Sequence, residues 1–307
     1  MDSRDYAPCD VPYYIASLRD QGEQLAAAAG VAGLDAPVPS CPGWLVRDLL
    51  GHLGFVHRWA AGHVTGHTDQ ALAALSEQEL IGLAPADESL TDWFRQGHTA
   101  LVSALQGAPP ELDCWTFLAA PSPLAFWARR QAHETAIHHA DVQLAADLRL
   151  AADLRLAAGR GPASGADPVA VGPAAGADPV TSAASGRQPG GLAADFFPAR
   201  FAADGVDELL MGFAQRDASR GQLAAVPGVI AFHAADGADG AAHWLVRTGI
   251  GQPGVSRGRG PADCDVTGAA SDMYLTLWNR PTRGDLDVSG AAALLAALRH
   301  ELRITWS

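Results

Sequence analysis

Between positions 144 and 191 the sequence repeats itself. LAADLR occupies 144–149 and again 150–155, and GADPV occupies 165–169 and again 176–180. From about 159 to 191 the remainder is mostly Gly, Ala, Pro and Ser. Such a stretch buries too little apolar surface to offset the entropy of ordering it. A chain interrupted in this way has to build its cores on either side. We therefore read a unit over 1–145, a low-complexity linker or insertion over 146–195, and a second unit over 196–307. The stretch from 159 is expected to be a mobile loop. The LAADLR copies can instead prolong the helix before them, because Ala, Leu and Arg are good helix formers.

The first unit has helical periodicity throughout. Asp10 can cap a helix with Pro12 in its opening turn and Val11, Ile15, Leu18 and Leu25 near one face, ending near Gly30 or Gly33. A second helix follows Pro42 and runs to about Gly62, with the stripe Leu45, Leu49, His52, Val56 and Ala60. A third is expected over about 89–106 and a fourth from about Ser122 to at least Leu144. Four amphipathic helices in succession predict a four-helix bundle. After the join come one helix at about 203–214, β-type runs at 229–234, 244–248 and 264–267, a short run at 286–288, and helical segments at 269–278 and 291–302. This half is expected to be a small α+β domain.

Bulk properties remove several function classes. The formal net charge is −13, with no basic cluster to offset it, which argues against nucleic-acid and anionic-membrane partners. No uncharged run of eighteen apolar residues is present, and the first six residues do not read as a secretory signal. The four cysteines, Cys9, Cys41, Cys114 and Cys264, are scattered without a CxxC pair. They are expected to be free thiols in a cytoplasmic protein, with Cys41 structural. The oligomeric state cannot be read.

The fourth helix carries the chemistry. Glu134 and His138 are four residues apart, so they lie one above the other on a single face. Gln131 and Asp141 extend that polar line, while Ala128, Ala132, Ala136 and Leu144 lie opposite. His52 sits within the apolar stripe of the second helix and should point into the bundle. A buried imidazole needs a partner. A divalent metal ion shared with Glu134 and His138 would supply one, and two imidazoles with one carboxylate leave positions for water or substrate. Two plainer readings compete. A core histidine can be bonded to a carbonyl, and E-x-x-x-H can be a solvated pair. His57, His63, His67, His133 and His139 are expected at the surface or around the site. His133 and His139 are turned too far round the helix to share an ion with Glu134.

The segments VPSCPGWLVRDLLGHLGFVHRW (38–59), RRQAHETAIHHADVQLA (129–145), FAADGVDELLMGF (201–213), ADCDVTGAASDMYLTLWNR (262–280) and LDVSG (286–290) resemble the mycothiol-dependent maleylpyruvate isomerase family of actinobacteria. That resemblance implies a DinB-like metal-binding four-helix bundle followed by a sterol-carrier-like α+β domain. It implies His52, Glu134 and His138 as ligands of Zn2+ and mycothiol as cosubstrate. It also puts Arg280 near a functional arginine of the C-terminal domain, as a catalytic or cofactor-binding group, with Arg247 as a second candidate anion binder.

The expected function is attack of a metal-activated thiol on an electrophilic small molecule, giving cis–trans isomerisation of a maleylpyruvate-type substrate or an S-conjugate. Three alternatives stand beside it. One is a mycothiol S-transferase of natural-product biosynthesis, and another a thiol-independent metal hydrolase. The third is a non-catalytic zinc-stabilised regulatory module, in which Asp141 or His57 supplies a fourth ligand.

Overall fold

The computed structural model describes residues 8–67, 77–159, 192–193, 195–220, 223, 226–236, 242–249 and 253–302. Its first half is the bundle: α1 Val11–Ala32, α2 Val46–Thr65, the short α3 Glu77–Gly82, α4 Asp87–Gly107 and α5 Pro123–Gly159. Asp10 caps α1, its carboxylate accepting from the Tyr13 amide at 2.9 Å. Gly33 closes that helix with φ 82, a backbone conformation that side chains with a Cβ resist. Helix α5 packs along α1, and α2 along α4. Trp93 of α4 lies so close to Gly54 that a Cβ there would collide with the indole ring.

Helix α5 runs unbroken through both LAADLR copies to Gly159, so the boundary expected at 145 falls inside a helix. Good helix formers carried the element onward, although the helix stops packing before the second copy: Leu148 at the end of the first copy, Leu150 and Leu154 of the second and Leu156 beyond it are all exposed. The expected loop from 160 to 191 lies outside the described residues.

The second half opens with α6, Ala199–Asp207, which continues into a π-helical segment, Glu208–Ala214, and the short α7, Gln215–Ser219. Sequence periodicity had suggested one plain helix here. The wider π-helical turns bring Glu208 and Phe213 against α5. A five-stranded mixed sheet follows, ordered β3-β2-β1-β4-β5, from β1 Gly228–Ala234, β2 Ala242–Thr248, β3 Gly254–Arg257, β4 Cys264–Gly268 and β5 Asp287–Gly290. Strand β1 pairs antiparallel with β2 and parallel with β4. Helix α8, Ala270–Leu277, packs on α6, and α9, Ala292–Glu301, covers β1 and β4. The short β3 and α3 were not anticipated, because four or six residues give too little periodicity to read.

Two carboxylates of α6 join the halves. Asp204 is fully buried and accepts from Tyr14 Oη at 2.9 Å, Arg129 Nε at 2.9 Å and His133 Nε2 at 2.8 Å. Asp207, also fully buried, accepts from Trp244 Nε1 on β2, Arg257 on β3 and Arg129 on α5. Bundle and sheet are therefore tied through paired charges at one helix. Among the described residues no helix is long and apolar enough to cross a membrane.

Candidate metal centre

Helix α5 packs against α1 and α2 and also meets α6 and α8 through Arg129 and His133, which bond Asp204 and Tyr274. That position explains why His57, His133 and His139, expected near the surface or around the site, are all buried. Each has its own partner. His57 Nε2 meets Thr135 Oγ1 at 2.9 Å, His133 bridges Asp204 and Tyr274, and His139 Nδ1 donates to Gln21 Oε1 at 2.7 Å. None of the three belongs to the cluster around Glu134.

His52, Glu134 and His138 do come together. His52 Nε2 and His138 Nε2 each lie 3.4 Å from the same oxygen, Glu134 Oε1, and the three donor atoms are within 4.8 Å of one another. A charge-assisted hydrogen bond is normally about 2.7–2.9 Å, so 3.4 Å is long for one. It is the natural spacing of ligands on a shared ion. Two donors held tetrahedrally at about 2.0–2.1 Å stand about 3.3–3.4 Å apart.

The surroundings fix each donor. His138 Nδ1 lies 2.9 Å from Asp141 Oδ2, an acceptor, so Nδ1 carries a proton and Nε2 is directed at Glu134. Glu134 Oε2 accepts from Arg130 Nη2 at 3.1 Å, and Arg130 Nη1 donates to Glu208 Oε2 at 2.5 Å. Trp44 packs edge-on to His52 at 5.4 Å. With His138 neutral, as a metal ligand must be, the connected buried set holds three carboxylates, Glu134, Asp141 and Glu208, against two guanidinium groups, Arg130 and Arg280. That excess of negative charge fits a divalent cation.

Electrostatics agree with the geometry. Burial pushes the Glu134 carboxyl up, but His138, His52 and Arg130 overcome it and hold the group well below the usual carboxylate range. Burial opposes protonation of His138, yet Asp141 and Glu134 raise its pKa to about 9. Protons and a metal ion therefore compete for His138 Nε2.

Arg280, expected as a substrate or cofactor contact, is turned onto Asp141. Its Nε and Nη2 reach the two carboxylate oxygens at 2.8 and 2.7 Å, and Nη1 donates to the Trp278 carbonyl at 2.6 Å. Ser40 also bonds Asp141. Arg247 lies apart. Trp244 of the same strand faces Asp207, and three residues on, Arg247 emerges exposed on the other face of the sheet. Asp141 and Cys41 can be grouped with His138 as a second donor set. The Arg280 guanidinium lies 3.8 Å from Cys41 Sγ and pairs with Asp141, which disfavours a cation there. Sequence reasoning missed Arg130, although its position four residues before Glu134 was the signal for an ion pair. Glu208, Ser40 and Trp278 are remote in sequence and gave no signal.

Comparison with known proteins places the chain in a family. The domain described as "Mycothiol maleylpyruvate isomerase N-terminal domain" matches residues 15–143, and the "MDMPI C-terminal domain" matches residues 200–297. The chain belongs to the mycothiol maleylpyruvate isomerase family. Its fold is similar to the crystal structure of the mycothiol-dependent maleylpyruvate isomerase, with TM-score 0.53 and 12% identity over 92% of this chain and 93% of that one. It is also similar to the structure of a histidine-to-alanine mutant of that isomerase, with TM-score 0.51 and 12% identity over 87% and 88% of the two chains. At that identity the likeness speaks for the fold. A comparison with curated proteins gave no match.

Buried imidazoles set an acid limit on stability. Burial lowers the pKa of His139 to about 4 from 6.5, and burial also lowers His57 and His98. Below pH 6.5 the unfolded chain takes up protons that these folded sites refuse. Stability is therefore lost as pH falls from about 6.5 towards about 4, by up to about 3 kcal/mol for His139. Urea unfolding at pH 7 and pH 5 measures this. In a His139→Leu variant the difference between the two should shrink, and an unchanged difference would assign the acid sensitivity to other groups.

Proposed function

We propose that this protein is a mycothiol-dependent metalloenzyme that isomerises a cis-enoyl diacid of the maleylpyruvate type. The observation that carries the reading is the convergence of two imidazoles from separate helices on one carboxylate oxygen at metal-ligand spacing. His52, Glu134 and His138 would hold the ion, and Zn2+ suits this donor set best. When bound, it would lower the pKa of a thiol that reached it and so supply a nucleophile at neutral pH. Isomerisation then follows from reversible thiol addition: the double bond becomes single, rotates, and re-forms when the thiol leaves.

The protein's own residues prepare this. Arg130 holds Glu134 so that one oxygen faces the two histidines. Asp141 holds the His138 ring with Nε2 inward. Arg280, through Asp141, acts as a positioning residue for that ring. Mycothiol S-transfer uses the same groups, and no contact in the structure favours it over isomerisation.

The test is turnover of maleylpyruvate by metal-quantified protein with and without mycothiol. The proposal expects conversion to the trans isomer that requires the thiol and consumes none of it. Net loss of thiol into an adduct would make the protein a transferase, thiol-free formation of the trans isomer would remove mycothiol from the reaction, and cleavage of the substrate by water without thiol would make the protein a hydrolase.

A further inference from the structure

Several buried polar atoms beside the cluster have no hydrogen-bond partner among the described residues. They are both amide atoms of Gln131, Nε1 of Trp278 and Nε of Arg130. Gln131 is 0% exposed. An orphaned buried amide costs about 1–3 kcal/mol, so a folded protein rarely keeps one without use.

Their placement is specific. Arg130 and Gln131 lie one turn before Glu134, and at about 100° per residue they straddle its line, about 40° to one side and about 60° to the other. The Trp278 ring lies 5.7 Å from the Arg130 guanidinium, which holds Glu134, and 6.0 Å from that of Arg280, which holds Asp141. The indole therefore lies beside both guanidinium groups that hold the ligands, while Gln131 lies round α5 from Glu134 towards Thr135, which meets His57 of α2. Three of the unpartnered groups offer N–H donors, and one atom, Gln131 Oε1, accepts. A group rich in acceptor oxygens answers that set.

We infer that Gln131 and Trp278 form a subsite, next to His52, Glu134 and His138, that hydrogen-bonds a carboxylate of the electrophile. The inference rests on the function proposed above and adds to it the residues that recognise the substrate. Neither residue is a metal ligand, and neither takes part in the ion pairs that hold the ligands.

The full-length protein tests this with Gln131→Met, which keeps volume and removes the amide, and Trp278→Phe, which keeps an aromatic ring and removes the N–H. Calorimetric binding of maleate needs no turnover, so it separates failure of the subsite from failure of the proposed reaction. In each variant the maleate Kd and the KM for maleylpyruvate should rise about tenfold, the scale of one lost hydrogen bond to a charged group. Metal content and the KM for mycothiol should stay as in the native protein. The Tm of Gln131→Met should be equal or higher, because no orphaned amide remains. Unchanged maleate binding in both variants, or no maleate binding by the native protein, overturns the subsite and leaves these atoms to buried water. A fall in Tm with loss of metal makes Gln131 structural. A loss confined to mycothiol overturns the assignment to the electrophile.

Discussion

Replacing Glu134 with glutamine should abolish metal binding while leaving a folded protein. Glu134 Oε1 is the atom on which both imidazoles converge, and a neutral amide oxygen is a far weaker partner for a divalent ion. Thiol-dependent turnover should drop by at least about a thousandfold, the scale on which enzymes lose a principal electrostatic group. The fold should survive because Arg130, although only 1% exposed, keeps Glu208 as a counter-ion. We expect a stability loss of about 1–3 kcal/mol in the metal-free state. Metal analysis, turnover and urea unfolding on the same preparation check it. Retained metal and turnover would remove Glu134 from the centre.

Asp141→Asn has the larger structural effect. Asp141 is fully buried and answers the Arg280 guanidinium and the Nδ1–H of His138. Burial pushes its carboxyl up, but Arg280 and His138 hold it far below the ordinary range, so it is charged in the native state. An asparagine leaves the nearly buried Arg280 without its counter-ion, at a cost of about 3–5 kcal/mol. It also frees the His138 ring, which should weaken metal affinity about 10–100-fold. The double variant Asp141→Asn with Arg280→Met separates the two effects. Stability should return in large part, since no buried charge is stranded, whereas metal affinity should stay low. Recovery of both would mean that Asp141 serves Arg280 alone.

Much of this architecture is legible in the sequence because helical periodicity is strong. The stripe through His52 and the Glu134–His138 spacing place three donors on two facing helices. What periodicity does not carry is the partner of each polar group. Arg280 is separated from Asp141 by 139 residues, and Glu208 from Arg130 by 78. Those pairings exist because α6 and α8 dock on α5, and nothing local in the sequence records that docking. The same docking buries His133 against Asp204 and Tyr274, whereas His57 is buried within the bundle against Thr135, Phe94 and His98. The π-helical segment escaped for a different reason. ELLMGFA has the composition of an ordinary helix, and its wider turns are tied to packing against Arg130 rather than to propensity.

Metal binding by His52, Glu134 and His138 is tested by the metal content of the purified protein after equilibration with Zn2+ and removal of excess, beside His52→Ala treated identically. About one ion per native chain is expected, with an X-ray absorption edge fitted by two imidazoles and oxygen donors, and loss of the ion in the variant. A native protein that takes up no stoichiometric ion, or a His52→Ala protein that keeps it, rules the metal centre out. His52, Glu134 and His138 would then be a buried hydrogen-bonded cluster without a metal.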